Sequence, residues 1–314
     1  MSRIYDALKK PEEEKAELPL AQGPGEKQVI LGGPEAQGRE PFTPLAESGT
    51  PRAGQVLGFS YNPSDLRKML LERSRQPEWN PDRKTMLLFD GRTHGAGVEE
   101  FRTLRSRLDL MRGDRLTQKL LVTSSLHEEG KTLVAANLAL AIARQRERNI
   151  LLIDGDLRKS RLHQVLGTPL EPGLVEYLEG SHDVLSIVQR CGVDNMFFVP
   201  GGRPVPNPNE LIANGRLKLL LEGLAPAFDA IILDSPPVVP VADAKLMAGM
   251  CDGVILVVQA GSTPYDLAQR ACREFGEGQC LGVVLNRAES DSIFRVTYYH
   301  GDERADSRNN NSKR

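Results

Sequence analysis

The sequence predicts an α/β domain in which a mostly parallel β-sheet is flanked by helices on both faces. Short apolar runs typical of buried strands alternate with helical patterns between residues 98 and 285. The segment Gly130-Lys131-Thr132 connects one such run to a helical pattern, and aspartates end two further runs. Right-handed crossovers bring the carboxyl ends of parallel strands to one edge of the sheet, so we expect the loop and the aspartates to lie together there.

The predicted elements follow one another in the order that this fold requires. The predicted strands are Lys119–Thr123, Asn149–Ile153, Met196–Val199, Ala230–Leu233, Gly253–Val258 and Gly282–Leu285. The predicted helices are Val98–Met111, Lys131–Arg144, helical stretches within Leu174–Gln189, Asn209–Leu224, Ala242–Ala248 and Tyr265–Phe275. Helical segments between the strands indicate crossover connections, which parallel strands need.

Composition divides the chain into four regions. These are a short helix at 1–10, a mostly disordered Pro/Gly-rich linker at 11–85, a P-loop domain at 86–288 and a flexible tail at 289–314. The linker has few large apolar residues to offset its ordering entropy, although Ser64–Ser74 within it has a helical pattern. The first ten residues predict either a helix that orders on a partner or membrane surface, or a frayed terminus.

Charge, hydropathy and cysteine usage exclude several classes of protein. The formal net charge of -2 gives no reason to expect nucleic acid as a partner. No apolar run reaches the roughly 18 residues of a membrane-spanning helix, and the start of the chain lacks the apolar stretch of a signal peptide. The four cysteines show no CxxC spacing, which is typical of thiols in a reducing compartment. We therefore expect a cytoplasmic protein.

The strongest functional motif is the loop from Ser125 to Thr132, which fits a phosphate-binding loop between a strand and a helix. Backbone amides of such a loop and the N-terminus of the helix face the phosphates, while Lys131 reaches the β- and γ-phosphates. The Thr132 hydroxyl is a candidate Mg²⁺ ligand. The predicted nucleotide-binding residues are Ser125, Glu128, Glu129, Gly130, Lys131, Thr132, Leu133, Arg158 and Asn286.

Three aspartates at strand ends supply the carboxylates that a metal-bound nucleotide needs. Asp234 should lie beside the loop strand and contact Mg²⁺ directly or through water. Asp154 and Asp156 are two residues apart, so one can accept a proton while the other helps to hold the metal, unless both are loop caps. We predict Lys131, Asp154 and Asp156 as catalytic residues, and Thr132, Asp156 and Asp234 as metal ligands.

Four nearby residues carry less specific predictions. Arg158 is expected either to neutralise phosphate charge or to be a solvated cation, and Asn286 either to contact the adenine edge or to be a turn residue. Glu128 and Glu129 place negative charge beside the phosphates, so we expect both to point to solvent, to a cation or to a partner arginine. Ser125 stands where the loop motif has its first glycine.

The set of motifs resembles the bacterial tyrosine kinases of capsule and exopolysaccharide systems, in their cytoplasmic form. The quoted matches are Asp154-Gly155-Asp156-Leu157-Arg158, Ile232-Leu233-Asp234-Ser235-Pro236-Pro237, Pro172-Gly173-Leu174, Leu178-Glu179-Gly180, Gly201-Gly202, Pro206–Leu211, Asp243-Ala244 and Val284-Leu285-Asn286. The related partitioning and cell-division ATPases carry an early lysine in the loop, where this chain has Leu126. The resemblance covers about Val98 to Ala288 and implies a P-loop NTPase fold.

The resemblance also implies an activity, partners and further site residues. It implies an ATP- and Mg²⁺-dependent tyrosine kinase that phosphorylates itself at Tyr298 and Tyr299, as well as other proteins, and regulates polysaccharide synthesis or export. Glu99, Arg102 and Arg105 match an oligomerisation motif and imply a homo-oligomeric ring. A membrane-embedded polysaccharide co-polymerase is the implied adaptor, which places the kinase at the inner face of the plasma membrane.

Two alternative functions remain open from the residues alone. The chain can be a nucleotide-switched ATPase that docks on a membrane partner with little kinase activity, which the sparse tyrosine tail and Glu128 favour and the Asp154/Asp156 pair disfavours. It can also be a P-loop small-molecule kinase or synthetase, although no substrate lid is evident in the sequence.

Overall fold

The sheet at the centre of the domain has seven strands among the residues described. The computed structural model describes residues 62–88, 97–112, 117–145, 148–193 and 195–288. The strands are β1 (Lys119–Ser124), β2 (Ile150–Asp154), β3 (Gln189–Arg190), β4 (Met196–Val199), β5 (Ala230–Asp234), β6 (Gly253–Gln259) and β7 (Cys280–Asn286). Their order across the sheet is β3-β4-β2-β5-β1-β6-β7, and every neighbouring pair is parallel except β3 and β4. The predicted fold class is confirmed.

Helices cover both faces of this sheet. They are α1 (Pro63–Arg73), α2 (Val98–Arg112), α3 (Lys131–Ala143), α4 (Leu162–Leu166), α5 (Leu174–Leu178), α6 (Val184–Ile187), α7 (Pro208–Ala213), α8 (Arg216–Leu224), α9 (Asp243–Ala248) and α10 (Tyr265–Arg273). Side chains alternate along each strand, so Leu121 and Leu151 pack into one core cluster while Val122 and Leu152 pack into the other. Among the described residues, no helix is both long and apolar enough to cross a membrane.

Strand register brings the functional carboxylates to one edge. Asp154 ends β2 and lies opposite Asp234 at the end of β5, while Val122 of β1 lies opposite Asp234 on its other side. The phosphate loop begins at Ser125, two residues after Thr123. The prediction that the strand of Asp234 lies beside the loop strand is therefore confirmed.

The packed domain begins earlier than predicted. Residues 62–85 fall within the predicted, mostly disordered linker, but α1, at the place of the helical pattern Ser64–Ser74, packs on the domain and buries Leu66 and Leu70 in the core. Met86 and Leu88 are buried on the opposite face. These apolar residues supply the burial that offsets the ordering of a segment whose composition alone predicts disorder. The predicted helix at 1–10, residues 11–61 of the linker and the tail at 289–314 lie outside the described residues.

Three local predictions differ from the structure for short-range reasons. The predicted helix Asn209–Leu224 is two helices, because Gly215 adopts a left-handed conformation with φ of 83° between them. The helical stretches predicted up to Gln189 end earlier, and Gln189 begins the two-residue antiparallel strand β3. Helix α4 was not predicted, since five residues carry too little periodicity to identify a helix.

Candidate functional site

The phosphate loop connects β1 to α3 and has the geometry of an anion-binding turn. Gly130 precedes α3 with a φ of 95°, and a Cβ atom there would lie 2.0 Å from Nδ2 of Asn286, so glycine is required. The first N–H groups of α3 have no partner within the helix, as at any helix start, and carry its positive dipole end. Ser125 is fully buried, and its hydroxyl has no hydrogen-bond partner in the described part of the chain.

Thr263, which follows β6, and Asn286, at the end of β7, hold this loop in place through Glu129. Glu129 is buried and accepts a 2.7 Å hydrogen bond from the backbone N–H of Leu126 and another from the Thr263 hydroxyl. Asn286 donates its side-chain amide to the carbonyl of Glu129 at 2.9 Å. The expectation that Glu129 points to solvent or a cation is wrong, because its carboxylate instead satisfies a backbone donor of the loop. Asn286 supports the loop, and its predicted contact to adenine stays a prediction.

Glu128 follows the expectation that its carboxylate points outward. Its side chain is 72% exposed, and its Oε1 lies 3.9 Å from Nζ of Lys159. Its backbone has a φ of 67°, a left-handed conformation that is uncommon for a residue with a side chain. An exposed carboxylate is screened by water, so Glu128 opposes phosphate binding only weakly.

Lys131 lies among the acidic residues at the strand ends. Its Nζ is 2.8 Å from Oδ2 of Asp156, 3.8 Å from Oδ1 of Asp234 and 3.2 Å from the Thr132 hydroxyl. Burial acts to lower the pKa of Lys131, but the charges of Asp234 and Asp156 outweigh it, so the pKa lies above its ordinary value. The lysine therefore stays protonated and compensates part of the acidic charge.

The Thr132 hydroxyl connects the loop to the third aspartate. It donates a 2.7 Å hydrogen bond to Oδ2 of Asp234, whose Oδ1 has no hydrogen-bond partner among the described residues. Burial raises the pKa of Asp234 to about 6, although Lys131 and Thr132 act in the opposite direction. A hydroxyl and a carboxylate in contact at the end of a strand are oxygen ligands that suit Mg²⁺, which usually takes its remaining ligands from phosphates and water.

Asp154 is held differently from its neighbour Asp156. Asp154 is fully buried, and its Oδ2 accepts hydrogen bonds from the Ser160 hydroxyl at 2.6 Å and from the Leu162 N–H at 3.0 Å. Its other oxygen has no hydrogen-bond partner in the described ranges. Burial, followed by the nearby charge of Asp234, raises the pKa of Asp154 to about 7. Asp154 thus shapes the turn after β2, whereas Asp156 contacts the lysine of the loop.

The raised pKa of Asp154 predicts that Asp154→Asn stabilises the fold, and that this gain in stability grows with pH. Between the ordinary value of 3.8 and about 7, the folded state keeps a proton that the unfolded state has released, so stability falls as the pH rises through this range. Asparagine is neutral throughout and keeps an oxygen for Ser160. We expect the melting temperature of Asp154→Asn in EDTA to equal that of wild type near pH 4. At pH 8 it should be higher than that of wild type by about 2–4 °C or more, which corresponds to roughly 1 kcal/mol of stability.

The matched control for this prediction is Glu277→Gln, which removes a carboxylate from an exposed position. Its melting temperature should follow that of wild type at every pH. A melting difference for Asp154→Asn that does not grow with pH would contradict the assignment of Asp154 as the titrating group.

Arg158 makes a contact that the sequence did not predict. Its guanidinium forms a two-point ion pair with the buried Asp243, with Nε 2.6 Å from Oδ2 and Nη2 3.1 Å from Oδ1. Asn209 donates to the same carboxylate at 3.0 Å. These contacts join the turn after β2 to α7 and α9, so Arg158 has a structural role, and its predicted contact to phosphate stays a prediction.

Sequence reasoning did not assign roles to Ser160, Thr263 and Glu176. Thr263 bonds Glu129 from 134 residues away in sequence, and no local pattern identifies such a partner. Ser160 is only six residues from Asp154, but its contact depends on the shape of the turn after β2. Glu176 is buried and accepts from the Gly173 N–H at 2.6 Å and the Arg203 N–H at 3.1 Å. The sequence motifs around Gly173 and Gly202 could have pointed to Glu176, since the two glycines pack against each other and Gly202 packs against the Glu176 carboxylate.

The predicted oligomerisation residues lie on α2, but they have different partners. Glu99 and Arg102 form an ion pair one turn apart, with a separation of 2.5 Å. Arg105 instead donates to the carbonyl of Ala141 in α3 at 3.0 Å. Arg105 therefore attaches α2 to the domain, while Glu99 and Arg102 lie nearer the surface.

The loop, its lysine and the carboxylates at adjacent strand ends define a P-loop nucleotide-binding protein, and comparisons assign it to a family. The chain is 31% identical to tyrosine-protein kinase YwqD of Bacillus subtilis over 203 residues, which are 64% of this chain and 85% of that protein. It is 30% identical to the putative tyrosine-protein kinase CapB of Staphylococcus aureus over 207 residues, 65% of this chain and 90% of that protein. No protein-family model matches.

A solved structure agrees with these relatives. The kinase domain of Escherichia coli tyrosine kinase ETK superposes with a TM-score of 0.61 and 27% identity, covering 71% of this chain and 89% of that one. The chain belongs to the bacterial tyrosine-kinase family of capsule and exopolysaccharide systems. The resemblance found in the sequence motifs is confirmed, and the ATPase docking module is not favoured.

Proposed function

We propose that this chain is a protein-tyrosine kinase that uses ATP and Mg²⁺ to phosphorylate Tyr298 and Tyr299 of its own tail, as well as other proteins. The observation that carries the proposal is the contact of Lys131 with Asp156 and Asp234 at the start of α3. This arrangement sets a cation, two carboxylates and a helix N-terminus around one point. Phosphoryl transfer depends on positioning and charge stabilisation of this kind.

The charge of the site supports a metal-bound nucleotide rather than a free one. Three carboxylates, Asp154, Asp156 and Asp234, lie around one lysine, so phosphates entering alone meet an excess of negative charge. Among the described residues, the Thr132 hydroxyl and Asp234 Oδ1, which accepts no hydrogen bond and lies 3.8 Å from Lys131 Nζ, are oxygen atoms that suit a divalent cation. Thr132 and Asp234 would hold Mg²⁺, with Asp156 as a third ligand if it does not act on the tyrosine proton, and the ion would supply charge neutralisation to the β- and γ-phosphates.

The chain's own residues then have separate tasks. The α3 N-terminus and the loop amides bind phosphate oxygens, and Lys131 shifts from its carboxylate partners towards the β- and γ-phosphates. Asp156 accepts the proton of the incoming tyrosine hydroxyl, because it is the member of the Asp154/Asp156 pair that contacts Lys131. Asp154, held by Ser160 and Leu162, fixes the turn that presents Asp156.

The test of this function is a phosphosite map of the full chain after incubation with ATP and Mg²⁺. We expect phosphate on Tyr298 or Tyr299, and we expect Tyr298→Phe/Tyr299→Phe to remove about nine tenths or more of the phosphotyrosine, since these tyrosines are the tail's acceptors. Mass spectrometry and phosphotyrosine labelling measure both. The two tyrosines lie outside the described residues.

The matched control is Tyr265→Phe, which removes a half-exposed tyrosine from the folded domain at the start of α10. Labelling of this variant should equal that of wild type. Unchanged labelling after loss of both tail tyrosines would contradict the proposed acceptors, and absence of all labelling together with retained ATP binding would favour a nucleotide-switched docking module.

We also infer that the active form is a homo-oligomer, arranged as a ring through Glu99, Arg102 and Arg105. We expect Arg102→Ala to shift the full chain from oligomer to monomer in light scattering, because it removes the cation nearer the surface of α2. Arg107→Ala is the control, since Arg107 is exposed on the same helix. Arg105 is left intact because it bonds the Ala141 carbonyl within the domain. An unchanged mass for Arg102→Ala would contradict the role of this motif.

The family membership supports a membrane partner for the kinase. We infer that a membrane-embedded polysaccharide co-polymerase serves as its adaptor and that the kinase works at the inner face of the plasma membrane, with no nucleic acid involved. Co-purification of the full chain from membranes that contain this adaptor, and its loss when the adaptor is absent, tests the inference.

A further inference from the structure

Two of the four cysteines face each other at the end of β7 opposite to Asn286. Cys272 lies in the last turn of α10 and Cys280 is the first residue of β7, with their sulfur atoms 3.2 Å apart. Both side chains are partly exposed, and both thiols are free. We propose that Cys272 and Cys280 are a modification site that forms a reversible disulfide by exchange with a low-molecular-weight disulfide such as glutathione disulfide.

The backbone on each side holds the two sulfurs in this arrangement. Cys280 pairs with Val254 in the sheet, at the point where the β6–β7 register shifts. The segment between the cysteines is tied down by Gln279, whose N–H bonds the Gly276 carbonyl and whose side chain bonds the Ala248 carbonyl at 2.6 Å. The sulfurs need only move from 3.2 Å to the roughly 2.05 Å of a disulfide, a change that side-chain rotation supplies.

The two thiols are inequivalent, which sets the order of the exchange. The hydrogen bond between them lowers the pKa of Cys272, while the same bond and burial raise the pKa of Cys280. The thiolate is the attacking species in thiol–disulfide exchange, so Cys272 reacts first. Burial raises the pKa of Cys251 to about 12 and that of Cys191 above its usual range, which disfavours both as competitors.

The chemistry balances without any further reactant. The Cys272 thiolate attacks one sulfur of glutathione disulfide, the S–S bond of the reagent breaks, and one glutathione thiolate leaves. The Cys280 thiol then loses its proton and attacks the Cys272 sulfur, which breaks the mixed disulfide and releases the second glutathione. Two protein thiols are oxidised to one disulfide, and one glutathione disulfide is reduced to two molecules of glutathione.

The bridge joins two elements that also support the phosphate loop. Thr263, just before α10, contacts Glu129, and Asn286 at the other end of β7 donates to the Glu129 carbonyl. The site itself does not depend on the kinase reaction, so it stands or falls separately from the proposed function.

To test the proposal, the full native chain is incubated in buffers with different ratios of glutathione disulfide to glutathione. The samples are then quenched with acid, alkylated and mapped by tryptic digestion. Trypsin cleaves after Arg270 and Arg273, so a bridge appears as a linked pair of peptides, one carrying Cys272 and the other Cys280. We expect this pair in oxidising buffer and its disappearance after dithiothreitol. Cys251→Ser, the matched control, should form the same linked pair.

Comparison with the chain unfolded in urea tells whether the fold promotes the disulfide or whether the two cysteines pair only because they are close in sequence. We expect the folded chain to become half bridged at a glutathione disulfide to glutathione ratio at least about tenfold lower than the chain in urea, because folding holds the sulfurs together. Cys272→Ser and Cys280→Ser should lose the linked pair. Equal midpoints for folded and unfolded chains, or stable glutathione adducts without linked peptides in wild type, would overturn the proposal.

Discussion

Replacing Lys131 with methionine is expected to weaken binding of Mg²⁺-bound ATP about 10- to 150-fold and to remove detectable phosphotransfer. The side chain of Lys131 is nearly buried, and its Nζ is 2.8 Å from Asp156 Oδ2 and 3.8 Å from Asp234 Oδ1. Methionine has similar length but leaves these carboxylates without their cation and the phosphates without a charged donor. Losing a hydrogen bond between charged groups costs roughly 1.5–3 kcal/mol, which accounts for a change of this size. Titration calorimetry measures the affinity.

Lys159→Met is the matched control for this result. Lys159 lies near the same loop, but its side chain is 53% exposed and its Nζ is 3.9 Å from Glu128. Exposed ion pairs contribute little, so ATP affinity should change by less than about threefold. Equal losses for both variants would show that general positive charge near the loop binds the phosphates, and would contradict the specific assignment of Lys131. Melting curves of both variants confirm that each remains folded.

The sheet edge that assembles this site was predictable because parallel strands have simple rules. Strands such as β2 and β5 are buried on both faces and therefore appear in the sequence as short continuous apolar runs. A right-handed crossover then fixes where their carboxyl ends lie, so Asp154 and Asp234 could be brought together without coordinates. The prediction of a nucleotide-binding site therefore depended on residues whose positions follow from strand direction alone.

Side-chain partners within the site were not predictable in the same way. Glu129 was expected outside the loop because a carboxylate repels phosphate, but the structure satisfies it with the Leu126 N–H and with Thr263, which is 134 residues away. Arg158 has its partner Asp243 at a separation of 85 residues. Helix α1 was assigned to the linker because its surroundings are rich in Pro and Gly, while its burial depends on contacts with distant residues. Tertiary contacts of this kind leave no local pattern.

The geometry separates the two carboxylates that the sequence treated as a pair, and this leads to a second large effect. Asp156 is the one in contact with Lys131, whereas Asp154 is enclosed by Ser160 and Leu162. We expect Asp156→Asn to lower the rate of phosphotransfer about 10²- to 10⁴-fold, the usual contribution of a positioned proton acceptor. ATP affinity should change by less than about threefold, because the loop and Lys131 remain and one competing negative charge is removed. Single-turnover phosphorylation and calorimetry measure the two quantities separately.

The Mg²⁺ dependence of ATP binding decides between the two roles proposed for Asp156. If Asp156 acts on the tyrosine proton, the Asp156→Asn variant loses the rate but keeps the gain in ATP affinity that Mg²⁺ provides. If it holds the metal, that gain shrinks along with the rate. Asp234→Asn is the comparison, because Asp234 contacts the Thr132 hydroxyl and should lose the Mg²⁺ gain in either case. A loss of ATP affinity in Asp156→Asn as large as the one expected for Lys131→Met would contradict a role in proton transfer, because a proton acceptor acts on the rate of the reaction and not on the binding of its nucleotide.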